Sequence, residues 1–151
     1  MELGTPLGRV LAAAVLTVAL SALAFASGAT VDGGQTRPLV ATTENADLGK
    51  TVLVNRKGLT LYSLSVERRG RSICTDSECL SFWTPLTVKK GQKPTGIAGL
   101  ATVKRPDGRT QVTYRGGPLY TFYLDRVRGD DGGEGFKDVG IWHAAAATRA
   151  A

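Results

Sequence analysis

Two separate stretches of the chain repeat one pattern, in which a tyrosine is followed by a bulky apolar residue and then by an acid. The stretches read GLTLYSLSVE at residues 58–67 and GGPLYTFYLD at residues 116–125. Tyrosine, aspartate and histidine side chains can carry acid–base or metal chemistry, and His143 is the single histidine. A candidate polar site therefore includes Tyr62, Tyr120, Asp125 and His143, of which the last two could bind a metal. The six motif positions are Tyr62, Leu64, Glu67, Tyr120, Phe122 and Asp125.

A structural role for the same residues competes with this chemistry. Residues two apart in a strand share one face, so Tyr120 and Phe122 can pack together in a core or across strands. Asp125 can accept hydrogen bonds from backbone N–H groups of the turn that follows it. The chain offers no nucleophile, histidine and acid in a recognisable order, and no two carboxylates at a spacing that indicates a catalytic pair. We therefore predict a non-catalytic protein without a cofactor, in which the motif holds the fold.

The two cysteines, Cys74 and Cys79, enclose the four residues TDSE. In an exported protein we expect such a pair to form a disulfide. A redox pair of the thioredoxin type has two intervening residues rather than four, and a structural zinc site needs four ligands, more than two cysteines and one histidine supply. The alternative function is a redox or metal-associated accessory protein of the cell envelope, based on this pair, the tyrosines, Asp125 and His143.

The amino-terminal region has the layout of a secretory signal. Arg9 precedes an apolar segment over residues 10–25, and the small residues of AFA at 24–26 have the spacing of a cleavage site. An uncleaved membrane anchor is the alternative. The segment after it is rich in Gly, Thr and Ala, which is typical of a flexible linker. The predicted division is a signal peptide at 1–26, a flexible linker at 27–49, a folded domain at 50–146 and a frayed tail at 147–151.

The chain is basic, with a formal net charge of +6 at pH 7 and a sequence pI of about 9.6. A basic protein attracts anionic partners, which for an exported protein are anionic envelope polymers or another envelope protein. The lysines and arginines are scattered, so we expect them on solvated faces and loops, and no block of them resembles a specific nucleic-acid-binding arm. We expect contact with a membrane only through an uncleaved amino-terminal segment. The expected location is extracytoplasmic, either secreted or associated with the cell envelope.

Short β-branched segments separated by turn signals predict an all-β domain. TVLVN at 51–55 and LTLYSLSV at 59–66 are predicted to form one hairpin, and TQVTY at 110–114 is predicted to pair with PLYTFYLD across the turn RGG. Farther along the chain, Pro85 argues against a central strand in the segment LSFWTPL.

The two hairpins align with each other, with Val54 matching Val112, so the repeats run over about 51–67 and 110–125. A duplicated hairpin can bury its apolar face against its own copy. The sequence therefore predicts a small antiparallel two-layer or barrel-like domain.

Four motifs in order resemble the secreted repeat family of bacterial exported proteins and predicted lipoproteins. They are GLTLYSLSVE, the cysteine pair followed by FWTPL, GGPLYTFYLD, and the glycine- and aspartate-rich loop that ends in GIWH. The family is marked by the motif Tyr-x-(Phe/Trp/Tyr)-x-x-Asp, which falls here on Tyr120, Phe122 and Asp125. The first copy has Leu64 and Glu67 at the aromatic and acidic positions. The family has no established biochemical activity, so the resemblance, over about residues 50–146, implies a location and a fold more than a function.

Overall fold

The computed structural model describes residues 1, 4 and 37–147. Apart from Met1 and Gly4, the predicted signal peptide lies outside the described residues, as do the first part of the predicted linker and residues 148–151. The chain divides into two compact units, Met1–Gly34 and Gln35–Ala151, and every element below lies in the second. No helix among the described residues has the length and apolar character needed to span a membrane.

Ten short strands and one short helix make up the described part of the second unit. In chain order they are β1 (Val40–Asn45), β2 (Lys50–Asn55), β3 (Tyr62–Leu64), α1 (Ser77–Phe82), β4 (Trp83–Pro85), β5 (Thr87–Val88), β6 (Leu100–Lys104), β7 (Thr110–Tyr114), β8 (Gly117–Pro118), β9 (Tyr120–Phe122) and β10 (Trp142–Ala144).

The strands form three antiparallel sheets. β1 pairs with β2, a four-stranded sheet has the order β10-β3-β9-β4, and in the third sheet β7 lies between β5 and β6 and also pairs with β8. The predicted antiparallel all-β class is confirmed. The sheets keep open edges and do not close into a barrel, so the barrel-like alternative is not the form observed. β4 contains Pro85 and is an edge strand, as the missing N–H of proline requires.

Part of the predicted linker is a strand. β1 pairs with β2 over its whole length, from Val40 opposite Asn55 to Asn45 opposite Lys50, and Val40 is fully buried. A flexible linker over 27–49 is therefore wrong for residues 40–49, and the fold begins before residue 50. The segment VATTEN has few strongly apolar side chains, so its conformation depends on pairing with the β-branched β2 rather than on its own composition.

The helix α1 begins inside the loop closed by the cysteine pair and continues beyond it to Phe82. Asp76 caps this helix, since its Oδ1 accepts a hydrogen bond from the Cys79 N–H at 2.9 Å. A helix of six residues is too short to show an amphipathic period, which is why the sequence pattern does not predict it. Cys74 and Cys79 form a disulfide with their Cα atoms 5.5 Å apart, and this prediction is confirmed.

Two hydrophobic clusters lie against opposite faces of β3 and β9. Because successive side chains of a strand alternate between its faces, Tyr62 and Tyr120 enter the first cluster while Leu61 and Leu119 enter the second. The other fully buried members include Trp83 and Trp142 in the first cluster and Val40, Leu53 and Val112 in the second.

The two halves of the described part make equivalent backbone hydrogen bonds. Leu86 follows β4 and bridges the second hairpin, since its N–H donates to the Leu119 carbonyl at 2.9 Å and its carbonyl accepts from the Val112 N–H at 2.8 Å. Ala145 follows β10 and bridges the first hairpin in the same way, with both distances at 2.8 Å and with Leu61 and Leu53 as partners. The strand that follows each hairpin therefore packs on the other hairpin.

The two hairpins differ in their turns. The turn between β7 and β8 is Arg115–Gly116, with φ angles of 48° and 85°, which is the two-residue type I′ geometry. The turn after β2 holds three residues, 56–58, between the paired Asn55 N–H and Leu59 carbonyl. The extra residue shifts the alignment by one position, so Leu53 rather than Val54 is the structural counterpart of Val112.

Candidate functional site

The two motif tyrosines lie directly opposite each other in the four-stranded sheet. Tyr62 of β3 and Tyr120 of β9 are Cα partners, and both side chains are fully buried. Successive side chains of a strand point to opposite faces. Leu61 and Leu119 pack in the second cluster, so the tyrosine that follows each leucine points into the first cluster.

Tyr62 donates a hydrogen bond to Asp125. The distance from the Tyr62 hydroxyl to Asp125 Oδ2 is 2.6 Å. The second carboxylate oxygen, Oδ1, accepts from the Gly132 N–H at 3.2 Å. Asp125 is only 5% exposed, and each of its two carboxylate oxygens has a hydrogen-bond donor in this buried environment.

Tyr120 makes the corresponding bond to Glu67. Its hydroxyl lies 2.9 Å from Glu67 Oε1, and the same oxygen accepts from the backbone N–H groups of Ile73 and Cys74. Glu67 is 2% exposed. The Glu67 carboxylate therefore ties the loop that carries the disulfide to the central strands.

Each tyrosine thus bonds to the acid of the other motif. Tyr62 belongs to the first motif and Asp125 to the second, while Tyr120 belongs to the second and Glu67 to the first. Both acids also accept the N–H of the residue seven positions later, Cys74 or Gly132. This N–H belongs to the loop that follows the motif and not to the turn directly after the strand. The repeated pattern is explained by an exchange of partners, in which the tyrosine of each motif bonds to the acid of the other.

Two stacked tryptophans pack against the two motif tyrosines. The rings of Trp83 and Trp142 are 3.7 Å apart and inclined by 10°. Tyr62 meets Trp83 edge-on at 5.4 Å, and Tyr120 meets Trp142 edge-on at 5.0 Å. The aromatic position of the second motif, Phe122, lies 4.8 Å from Trp83. These contacts place the motif rings in the core, where edge-on pairs add to the stability from burial.

Gly133 lets the glycine-rich loop pass over the rings. A Cβ at this position would lie 2.7 Å from Trp83 Cη2 and 2.9 Å from Tyr62 Cε1. The glycine is required here by close approach and not by a left-handed backbone. Sequence reasoning missed it, because a glycine within a loop rich in glycine has no distinguishing signal.

Arg105 is a buried cation that sequence reasoning also missed. Its side chain is 0% exposed, and its Nη1 donates to Gln111 Oε1 at 2.6 Å and to the Tyr120 hydroxyl at 3.2 Å. Its Nη2 donates to the Cys74 carbonyl at 2.7 Å. The expectation that basic residues occupy solvated faces is wrong for Arg105, because the folded chain surrounds its guanidinium group with hydrogen-bond acceptors.

The buried environment keeps the motif phenols protonated. Burial raises the pKa of Tyr62 and of Tyr120 above the ordinary value, and the acid beside each phenol raises it further. Burial likewise raises the pKa of Glu67 and of Asp125, although the hydrogen bonds that each accepts act in the opposite direction. Since no motif side chain is more than 5% exposed, these groups hold one another rather than face a ligand.

His143 does not join the buried residues. It lies on β10 between two buried neighbours, and its own side chain is half exposed. Its Nδ1 is 2.8 Å from Glu134 Oε1, while Asp125 bonds to Tyr62. Burial raises the pKa of Glu134, but hydrogen bonds from His143, the Ala144 N–H and Lys50 outweigh it and lower that pKa overall. The predicted site of tyrosines, aspartate and histidine is therefore divided between the core and the surface.

Asp130, in the acidic loop after β9, uses its carboxylate for local structure. Asp130 Oδ2 accepts from the N–H groups of Arg126 and Val127 at 2.6 and 2.9 Å. Within residues 37–147 no group of three or more histidine, cysteine, aspartate or glutamate side chains has the arrangement of a metal site. Asp125 and His143 accordingly share no candidate metal site in the described part of the chain.

Residues 101–146 match the model of a protein family described as a secreted repeat of unknown function. The resemblance inferred from the motifs is confirmed by this match, which covers the second motif. No curated protein and no solved structure matches the chain. The family description supports an extracytoplasmic location.

Proposed function

We propose that the chain is a non-catalytic, exported module of the cell envelope that binds an anionic envelope polymer. The observation that carries the non-catalytic role is the burial of all six motif side chains, none more than 5% exposed. The side chains of a catalytic site are expected to line a cleft that a substrate can enter. Here the motif side chains are inside the protein and bonded to each other, so the repeated pattern serves the fold.

The proposed module consists of two repeats that complete each other. The matched segment, 101–146, covers most of β6 and all of β7 to β10, and β1 to β5 reproduce the pairing of those strands. Each half supplies the acid for the other half's tyrosine, whereas the tryptophan that meets each tyrosine edge-on comes from the same half as that tyrosine. We infer that residues 40–88 are a diverged copy of the matched repeat.

The anionic partner follows from charge. The formal net charge is +6, a sum that already counts the buried acids Glu67 and Asp125 as negative. A basic surface attracts polyanions over about 10 Å at moderate salt. Envelope polymers that carry phosphate or carboxylate groups are the partners this chemistry favours.

Co-sedimentation with insoluble polymers tests the binding role. We expect the full chain to be retained by an anionic polymer and not by a neutral polysaccharide of similar size, and to be released as ionic strength rises, because exposed charges are screened. Equal retention on anionic and neutral polymers would contradict the proposal. Binding to the anionic polymer that survives high salt would indicate contacts beyond charge attraction and would support a specific site.

A further inference from the structure

A groove lies between the loop after the first motif and the turn of the second hairpin. It has a volume of about 500 Å³ and is lined in part by Arg68, Arg69 and Arg115, together with Ser63 and Tyr114. All three arginines are exposed. We call this feature the arginine groove.

The backbone holds the two sides of the arginine groove together. The Gly70 N–H donates to the Gly116 carbonyl at 2.8 Å, and the Arg115 N–H donates to the Gly99 carbonyl at 2.9 Å. The Arg68 Nε donates to the Ser65 carbonyl at 3.2 Å. The arginines therefore project from fixed positions rather than from a free loop.

Two of these arginines have a strained backbone. Arg69 and Arg115 have φ angles of 55° and 48°, and they are the non-glycine residues with positive φ in the described part of the chain. Glycine or asparagine would adopt this conformation with less strain. The presence of arginine at both strained positions, which line one groove, points to a role for the side chains.

The charge of the arginine groove is not compensated. Within residues 37–147, no ion pair involves Arg68, Arg69 or Arg115, whereas Asp107 pairs with both Arg105 and Arg109. Glu67 is the one acid among the lining residues, and its Oε1 is occupied by the Tyr120 hydroxyl and two backbone N–H groups. Three arginines therefore line a space whose one carboxylate, that of Glu67, is only 2% exposed.

The chemistry of the arginine groove favours phosphate. A guanidinium group presents paired N–H donors in a planar fork that matches the oxygens of phosphate or carboxylate. One bidentate arginine engages both oxygens of a carboxylate, whereas a phosphate group has more acceptor oxygens, arranged tetrahedrally, and can present separate edges to several arginines at once. We propose that the arginine groove binds the phosphate groups of the anionic envelope partner, an inference that rests on the proposed function and assigns it a site and a ligand class.

Two triple variants with the same charge change test the site. The groove variant is Arg68→Gln, Arg69→Asn and Arg115→Asn, in which asparagine suits the left-handed backbone at the last two positions, so we expect the fold to be retained. The control variant replaces three exposed lysines of a different loop, Lys89, Lys90 and Lys93, by glutamine. Urea unfolding of both variants checks that the fold is intact.

Binding is measured with a glycerol-phosphate polymer, with vesicles containing phosphatidylglycerol, with inorganic phosphate as competitor, and with polyglutamate as a carboxylate polymer. For the phosphate polymer we expect the groove variant to bind at least about tenfold more weakly than the unaltered chain. The control variant should lose less than about threefold, because its lysines do not line the arginine groove and contribute only to the overall charge. Competition by inorganic phosphate would support a local phosphate site. Tighter binding to the vesicles than to the polymer would support the site and make a lipid headgroup its source of phosphate.

The outcomes separate this inference from the proposed function. Equal weakening of the two variants would overturn the arginine groove as a site while leaving an anionic partner in place. Binding to polyglutamate without binding to any phosphate probe would overturn the phosphate class and again leave the anionic partner. Failure of the unaltered chain to bind any anionic probe would overturn the proposed function together with the inference.

Discussion

Replacement of Tyr120 by alanine is expected to lower the free energy of unfolding by at least about 3 kcal/mol. The ring is fully buried and meets Trp142 edge-on at 5.0 Å. Its hydroxyl also bonds to Glu67 and to Arg105, so its removal leaves two buried charged groups without one of their partners, which adds to the cost of the cavity. Urea denaturation monitored by fluorescence measures the loss.

The matched control for this change is Tyr123→Ala. Tyr123 is 44% exposed and lies outside the motif, so we expect its replacement to cost less than about 1 kcal/mol. A loss below about 1 kcal/mol for Tyr120 itself would show that the ring does not support the core, and would return the motif to the surface as a candidate site.

Gly133→Ala should be nearly as damaging, although it adds a single methyl group. The new Cβ would lie 2.7 Å from Trp83 and 2.9 Å from Tyr62. Trp83 is stacked on Trp142 and Tyr62 is bonded to Asp125, so neither ring can move away without losing its own contact. Overpacking of this kind costs about 2–3 kcal/mol, which thermal and denaturant unfolding would both detect.

Gly117→Ala provides the comparison, because a Cβ there would make ordinary contacts of 3.5 Å or longer and the φ angle is not positive. We expect it to change the free energy of unfolding by less than about 0.5 kcal/mol. Equal stability of Gly133→Ala and Gly117→Ala would contradict the close packing of the glycine-rich loop over the Trp83 and Tyr62 rings.

Local pattern was sufficient to predict several elements of this fold. TQVTY is β-branched and lies between the turn residues PDG and RGG, and it forms β7 with the predicted bounds. The alternation across Tyr120 and Phe122 placed both side chains on one buried face. The spacing of Cys74 and Cys79 fitted a local disulfide, which the structure contains. In each case the information lies within a few consecutive residues.

What the sequence left unpredicted depends on contacts between elements rather than on the composition of a single segment. β1 is a strand because β2 pairs with it, and its own composition resembles a linker. Arg105 is buried because Gln111, Tyr120 and Cys74 supply its partners. The sequences of the two motifs align, but no local rule states that the acid of one motif bonds to the tyrosine of the other.

The exchange of partners between the motifs is the central claim, and double-mutant cycles test it most directly. Tyr62→Phe combined with Asp125→Ala, and Tyr120→Phe combined with Glu67→Ala, should each show a coupling energy of about 1–2 kcal/mol, because the paired groups are buried and bonded. The same-motif combinations, Tyr62→Phe with Glu67→Ala and Tyr120→Phe with Asp125→Ala, should be additive within about 0.5 kcal/mol. Coupling within each motif and additivity between them would contradict the exchange.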